Sequence, residues 1–138
     1  NNNTNYLSTP SNPTLIFGQR TTTVNNFLLG SGSDQLTVNA SESVFGNAQI
    51  RMLTADFSST AVTMAYQNMT TGVSKSGAAT FSTVYTPSGT MLIGDGAGSG
   101  LTGTFDLSAM FIWDSILSST DAAAVVAWLR QYAASYGM

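Results

Sequence analysis

Two features of this 138-residue chain invite chemistry: one glycine-rich stretch and a scatter of carboxylates. Gly98-Ser99-Gly100-Leu101-Thr102-Gly103 spells G-x-G-x-x-G, the spacing of a dinucleotide-binding turn. That turn works because its last glycine opens a helix whose N-terminus receives the pyrophosphate. Here the glycines run into "TFDLSAMFIW", which alternates with period two, as a strand does. No Gly-Lys-Ser/Thr follows them either. The stretch reads as an interstrand loop in which glycine supplies positive φ. Its alternative chemistry is a site where Asp95 and nearby carbonyls hold calcium or a ligand hydroxyl. One carboxylate is too few for tight calcium binding, so the expectation is no metal and no cofactor, with calcium at Asp95 as the alternative.

The other carboxylates are Asp34, Glu42, Asp56, Asp106, Asp114 and Asp121. Glycoside hydrolysis needs two of them flanking one bond. Glu42 is the single glutamate, in a loop without acidic neighbours. Asp106 and Asp114 lie eight residues apart, roughly 26 Å along a strand. With no cysteine and no histidine, thiolate chemistry, disulfides, imidazole ligands and Ser-His catalysis are excluded. The expectation is that the protein is not an enzyme.

Binding residues are sought at strand ends. Asn68 and Asp95 stand there, as candidates for a ligand rim or for ordinary turn chemistry. Tyr66 and Tyr85 lie on polar strands and are expected to be exposed beside them. Trp113 and Trp128 are read as core or helix-to-sheet packing, with sugar stacking as the alternative. Asn68-Met69-Thr70, Asn39-Ala40-Ser41 and Asn2-Asn3-Thr4 match the N-glycosylation pattern, as chance allows in a chain rich in Asn and Thr.

The elements that must position these residues are mostly strands. Thr favours strands, and Gly, Asn and Ser favour turns. "YLSTP" reads as a short edge strand, followed by strands at 14–20, 24–30 and 35–40. Residues 48–57 and 61–68 form a hairpin, with Ile50, Met52 and Thr54 on one face and Arg51, Leu53, Ala55 and Phe57 on the other. Val62, Met64 and Tyr66 face together. Further strands are expected at 80–86, at 90–94 and at 103–115, the last buried on both sides. Ser118-x-x-Asp121 marks a capping box, and Val125, Trp128, Leu129 and Tyr132 form a helical stripe. The domain reading is a flexible segment 1–5, then one domain 6–138 with a closing helix 119–136. The fold class is all-β, an antiparallel β-sandwich with one C-terminal α-helix.

Charged residues are 8% of the chain and the net charge is −3, with no basic cluster, so nucleic acid is not an expected partner. The apolar runs are too short to cross a bilayer, and no membrane partner is expected.

From residue 48 onward the chain resembles the laminin G-like, concanavalin A-like jelly-roll family. The likeness rests on the strand pair "IRMLTADFSSTAVTMAYQNMTTG", on "MLIGDG", and on "LTGTFDLSAMFIWDSILSSTD". The last is similar to that family's F-x-G-x-I-x-x-x-x-I-Y-D-x-x-L-S-x-x-E ending, and "WLRQYAASYG" to the end of its helix. "NYLSTPSNP" is similar to the first strand of such domains in phage tail and virion proteins. The family's hydrolases carry a Glu-x-Asp-x-x-Glu run, which this chain lacks. The chain is short for the family, and 13–38 is condensed, so some strands are expected to be missing or supplied by a neighbouring subunit. The resemblance implies a non-enzymatic structural or decoration subunit of a virion or other extracellular assembly. Such a subunit is a homo-oligomer or joins other assembly proteins, through edge strands and uncharged faces, at the virion surface or outside the cell. The alternative is a carbohydrate-binding, lectin-like module of a fibre or larger secreted protein. Surface glycans are partners in either reading.

Overall fold

The structure is a computed structural model that describes residues 4–8, 15–21, 24–42, 49–86, 92–93 and 109–135. These residues form eight strands and one helix. The strands are β1 (Thr4–Ser8), β2 (Leu15–Thr21), β3 (Val24–Ser31), β4 (Asp34–Ser41), β5 (Arg51–Asp56), β6 (Ala61–Asn68), β7 (Ser74–Thr80) and β8 (Leu92–Ile93). The helix is α1 (Ser119–Ser135). One antiparallel sheet has the order β4-β3-β2-β1-β8, the other β5-β6-β7.

The period-two alternation decides what each strand buries. β4 turns Leu36, Val38 and Ala40 inward, and β6 turns Val62, Met64 and Tyr66 inward. Phe27 and Leu29 of β3 complete the shared core. The Phe27 ring stacks on Tyr66 with centroids 4.4 Å apart. Burial of each such side chain stabilises the fold by ~1.5–3 kcal/mol. The two sheets approach closely at Gly77 of β7, where an added Cβ would lie 3.0 Å from a Val38 methyl. A larger residue there would push the layers apart.

Two antiparallel sheets and a C-terminal helix agree with the sequence reading. Both sheets are small and unclosed, and the described strands do not draw a jelly-roll wrap. Several expectations are corrected. β1, read as an edge strand, lies between β2 and β8. Residues 81–86 are not a strand. The ladder ends where the Phe81 amide bonds to the Thr60 carbonyl at 2.8 Å. Asp34 then captures Ser82, its Oδ1 accepting from the Ser82 amide at 2.9 Å. That pair draws the chain toward the other sheet.

Residues 109–115 are not a strand either, and Phe111, Ile112 and Trp113 are exposed instead of buried. Among the described residues no strand pairs with this segment, and its apolar side chains stay open. Residues 103–108 and the glycine stretch lie outside the described residues. α1 matches the expected helix, except that Tyr136 also lies outside them.

The start of α1 follows the capping logic in part. The Asp121 amide donates to Ser118 Oγ at 3.1 Å, as a capping box requires. The return arm differs: Asp121 Oδ2 accepts from the Ser118 hydroxyl at 2.6 Å. Aspartate is one methylene shorter than the usual glutamate. The shielded face of α1 carries Ala122, Val125, Val126, Leu129, Tyr132 and Ala133. Trp128 precedes Leu129 by one residue, about 100° around the helix, and is turned away from that face. It is therefore exposed, contrary to the core position expected for it.

Candidate functional site

The inward faces of three strands end in polar residues at the same end of the core. β6 continues past Met64 to Tyr66 and Asn68. In the partner strand, Leu53 pairs with Tyr66 and Arg51 with Asn68. The alternation of β4, extended one step beyond Ala40, places Glu42 inward as well. Glu42 and Asn68 thereby meet across 26 residues of sequence.

The Glu42 carboxylate is buried and saturated. Its Oε1 accepts a short hydrogen bond from the Tyr66 hydroxyl. Its Oε2 accepts from Asn68 Nδ2 at 2.8 Å and from Thr71 Oγ1 at 3.4 Å. Arg51 Nε stands 3.8 Å from Oε1, with 14% of the Arg51 side chain and 2% of the Glu42 side chain exposed. Arg51 Nη2 donates to Gln49 Oε1 at 2.5 Å, and Asn68 Nδ2 donates to the same oxygen at 3.0 Å. These donors and the nearby guanidinium offset the cost of burying the carboxyl group. Burial, and then the bond donated to Glu42, push the Tyr66 phenol well above its ordinary range.

Asn68 also shapes the β6–β7 turn. Its Oδ1 accepts from the Thr70 and Thr71 amides at 2.9 and 3.1 Å. Its carbonyl accepts from the Gly72 amide at 2.8 Å. Chemically the cluster is a clasp, joining the end of β4 to the turn between β6 and β7. It presents no open acid or base to a substrate.

The structure thus brings two candidates together, Tyr66 and Asn68, and buries both, at 1% and 0% exposure. Exposure had been expected of Tyr66 because its strand is polar. Thr63 and Gln67 of β6 face outward, whereas Tyr66 shares the buried face with Val62, Met64 and Asn68. Tyr85, also expected to be exposed, is buried elsewhere, its ring edge-on to Phe57 at 5.2 Å and to Phe81 at 6.5 Å. Its hydroxyl is buried without a hydrogen-bond partner among the described residues, and burial pushes the phenol up to about 12. Asp95 lies outside the described residues. Glu42 and Arg51 were missed. The alternation of β4 contains the signal for Glu42, but nothing local shows that it meets β6.

Two surfaces remain accessible. The outer face of the three-stranded sheet holds a shallow depression of about 580 Å³. Met52, Thr54, Ala65, Tyr66, Gln67, Ser74, Lys75 and Ser76 line it, a mixture of hydroxyls, one amide, one lysine and apolar groups. The other surface is aromatic. Phe111 stacks on Trp113 at 5.9 Å and meets Trp128 edge-on at 5.6 Å, and Trp128 stacks on Tyr132 at 5.3 Å. Ile112 and Ile116 stand beside them in sequence and are exposed. The segment before the helix and the outer side of α1 together form one apolar patch. Among the described residues no three acidic side chains gather as metal ligands. No protein-family model matches the chain, and no characterised protein or solved structure matches it.

Proposed function

We propose that this chain is a non-enzymatic structural or decoration subunit of a virion or other extracellular assembly, attached through the apolar patch of residues 111–128. The observation that carries this reading is the exposed aromatic cluster of Phe111, Trp113 and Trp128, with Ile112 and Ile116 also exposed in the same segment. Contiguous apolar surface of this kind marks an interaction site. The likeness to laminin G-like jelly rolls of phage particles points the same way. The non-enzymatic part is supported by the single glutamate, whose carboxylate is saturated inside the core.

The test is recovery of the chain from its native source, with a particle image and a native mass. A particle that holds the chain, and that loses it when Trp113 and Ile116 are both replaced by serine, supports the reading. Recovery as a free chain, with both variants behaving alike, overturns it.

A lectin-like module is the second reading. It is favoured by Trp113 and Trp128, which are 45% and 49% exposed and so open to sugar stacking. The hydroxyl-lined depression supplies hydrogen bonds of the right chemistry. Retention on a glycan array, lost on Trp113→Ala, would put this reading first.

A further inference from the structure

We infer that the Asn68 side chain couples the core clasp to α1, by aiming the backbone carbonyl on which Arg130 docks. Through it the position of the helix, and of the Trp128 it carries, depends on a carboxyl group inside the core. The coupling holds whatever docks on the aromatic cluster.

The contacts meet in one peptide unit, between Met69 and Thr70. Its carbonyl oxygen accepts from Arg130 Nη2 at 3.0 Å, across 61 residues of sequence. Its N–H donates to Asn68 Oδ1 at 2.9 Å. A peptide unit is planar, so fixing its N–H fixes the direction of its C=O. A peptide that donates a hydrogen bond is also polarised into a better acceptor. Asn68 thus prepares the oxygen that Arg130 uses.

What holds Asn68 lies in the core. The residue is fully buried, and its Nδ2 donates to Glu42 Oε2 at 2.8 Å and to Gln49 Oε1 at 3.0 Å. A side-chain amide has two N–H donors and one oxygen. With both kinds of group engaged, Oδ1 is held toward the Thr70 and Thr71 amides. Two further bonds tie the turn to β5 independently of Asn68. The Met69 amide donates to the Ile50 carbonyl at 2.8 Å, and the Ile50 amide to Thr70 Oγ1 at 2.9 Å. They keep the hairpin closed when the clasp is cut, so the loss is felt at the helix. No described strand packs closely against α1, which leaves the Arg130 bond as its tie to the β6–β7 turn.

Residue-resolved amide hydrogen exchange of the full chain tests this. Glu42→Gln turns one carboxyl oxygen into an NH2 group, so Tyr66 and Asn68 can no longer both donate to it as they do now. The α1 amides should then exchange roughly threefold to tenfold faster relative to those of β3, the effect of about one hydrogen bond. In Arg130→Ala that route is already cut, and adding Glu42→Gln should change the α1-to-β3 ratio by no more than about twofold. Gln49→Ala, at a half-buried position, removes the second bond to Asn68 Nδ2 and should act in the same direction. It reads the coupling if Glu42→Gln does not fold. An α1-to-β3 ratio unchanged in every folded clasp variant overturns the proposal. So does a rise of equal size with and without Arg130, which would mean that the clasp reaches the helix by another route.

Discussion

Glu42 and Tyr85 are opposite solutions to one problem, a polar group inside an apolar core. Glu42 is met by Tyr66, Asn68, Thr71 and Arg51, whereas the Tyr85 hydroxyl meets no described partner. Removing a donor from a satisfied buried acceptor costs the desolvation of that acceptor. Tyr66→Phe should therefore lower stability by ~1–3 kcal/mol in urea unfolding. Tyr85→Phe should leave it unchanged or raise it by up to ~1 kcal/mol, since it deletes an unmet group. A loss as large as that of Tyr66→Phe would show that the Tyr85 hydroxyl is bonded. The same tyrosine sets an alkaline limit. The unfolded chain releases this proton near pH 10.0, while the folded chain holds it to about 12. Below pH 10 the stabilisation is complete, and it is lost as pH rises through the folded value. The unfolding midpoint should fall from about pH 10 upward, and more gently in Tyr85→Phe.

Among the elements, the β3–β4 hairpin shows how much a strand end depends on its neighbours. Gly30 has φ +82°, and an added Cβ would lie 2.0 Å from the Asp34 carbonyl oxygen and 3.0 Å from the Phe81 ring. Gly32 has φ +61° but open space around it. Gly32→Ala should cost ~1–2 kcal/mol, the backbone strain alone. Gly30→Ala should cost ~3 kcal/mol or more, because strain and overpacking add. Thermal melts of the two variants separate these contributions. Strand and helix existence was legible here. The alternation in 35–40 and 61–68 and the Ser118-Asp121 cap needed only local sequence. The segment from Phe81 to Tyr85 alternates equally well, yet leaves the ladder. Its fate depends on Asp34, 48 residues from Ser82.

At the scale of the whole molecule, the two sheets share one core, while α1 stands apart from the strands. No described strand packs closely against it, and the Arg130 bond to Met69 ties it to the β6–β7 turn. Local stability should follow this division. In native-state hydrogen exchange the α1 amides should exchange earlier than those of β3 and β6. Arg130→Ala should quicken α1 and leave β3 unchanged. Equal protection of helix and core strands would contradict the division.

Composition and period together determine that this chain builds antiparallel strands with a capped C-terminal helix, because those signals act over a few residues. They also determine, through the lack of cysteine, histidine and clustered charge, which chemistries are closed to it. Tertiary structure alone decided which of the patterned faces were covered. Local pattern put Trp113 and Trp128 in the core, and both are exposed; strand polarity put Tyr66 and Tyr85 outside, and both are buried. Burial depends on what arrives from elsewhere in the chain: Phe27 arrived over Tyr66, whereas no described strand closed over Trp113.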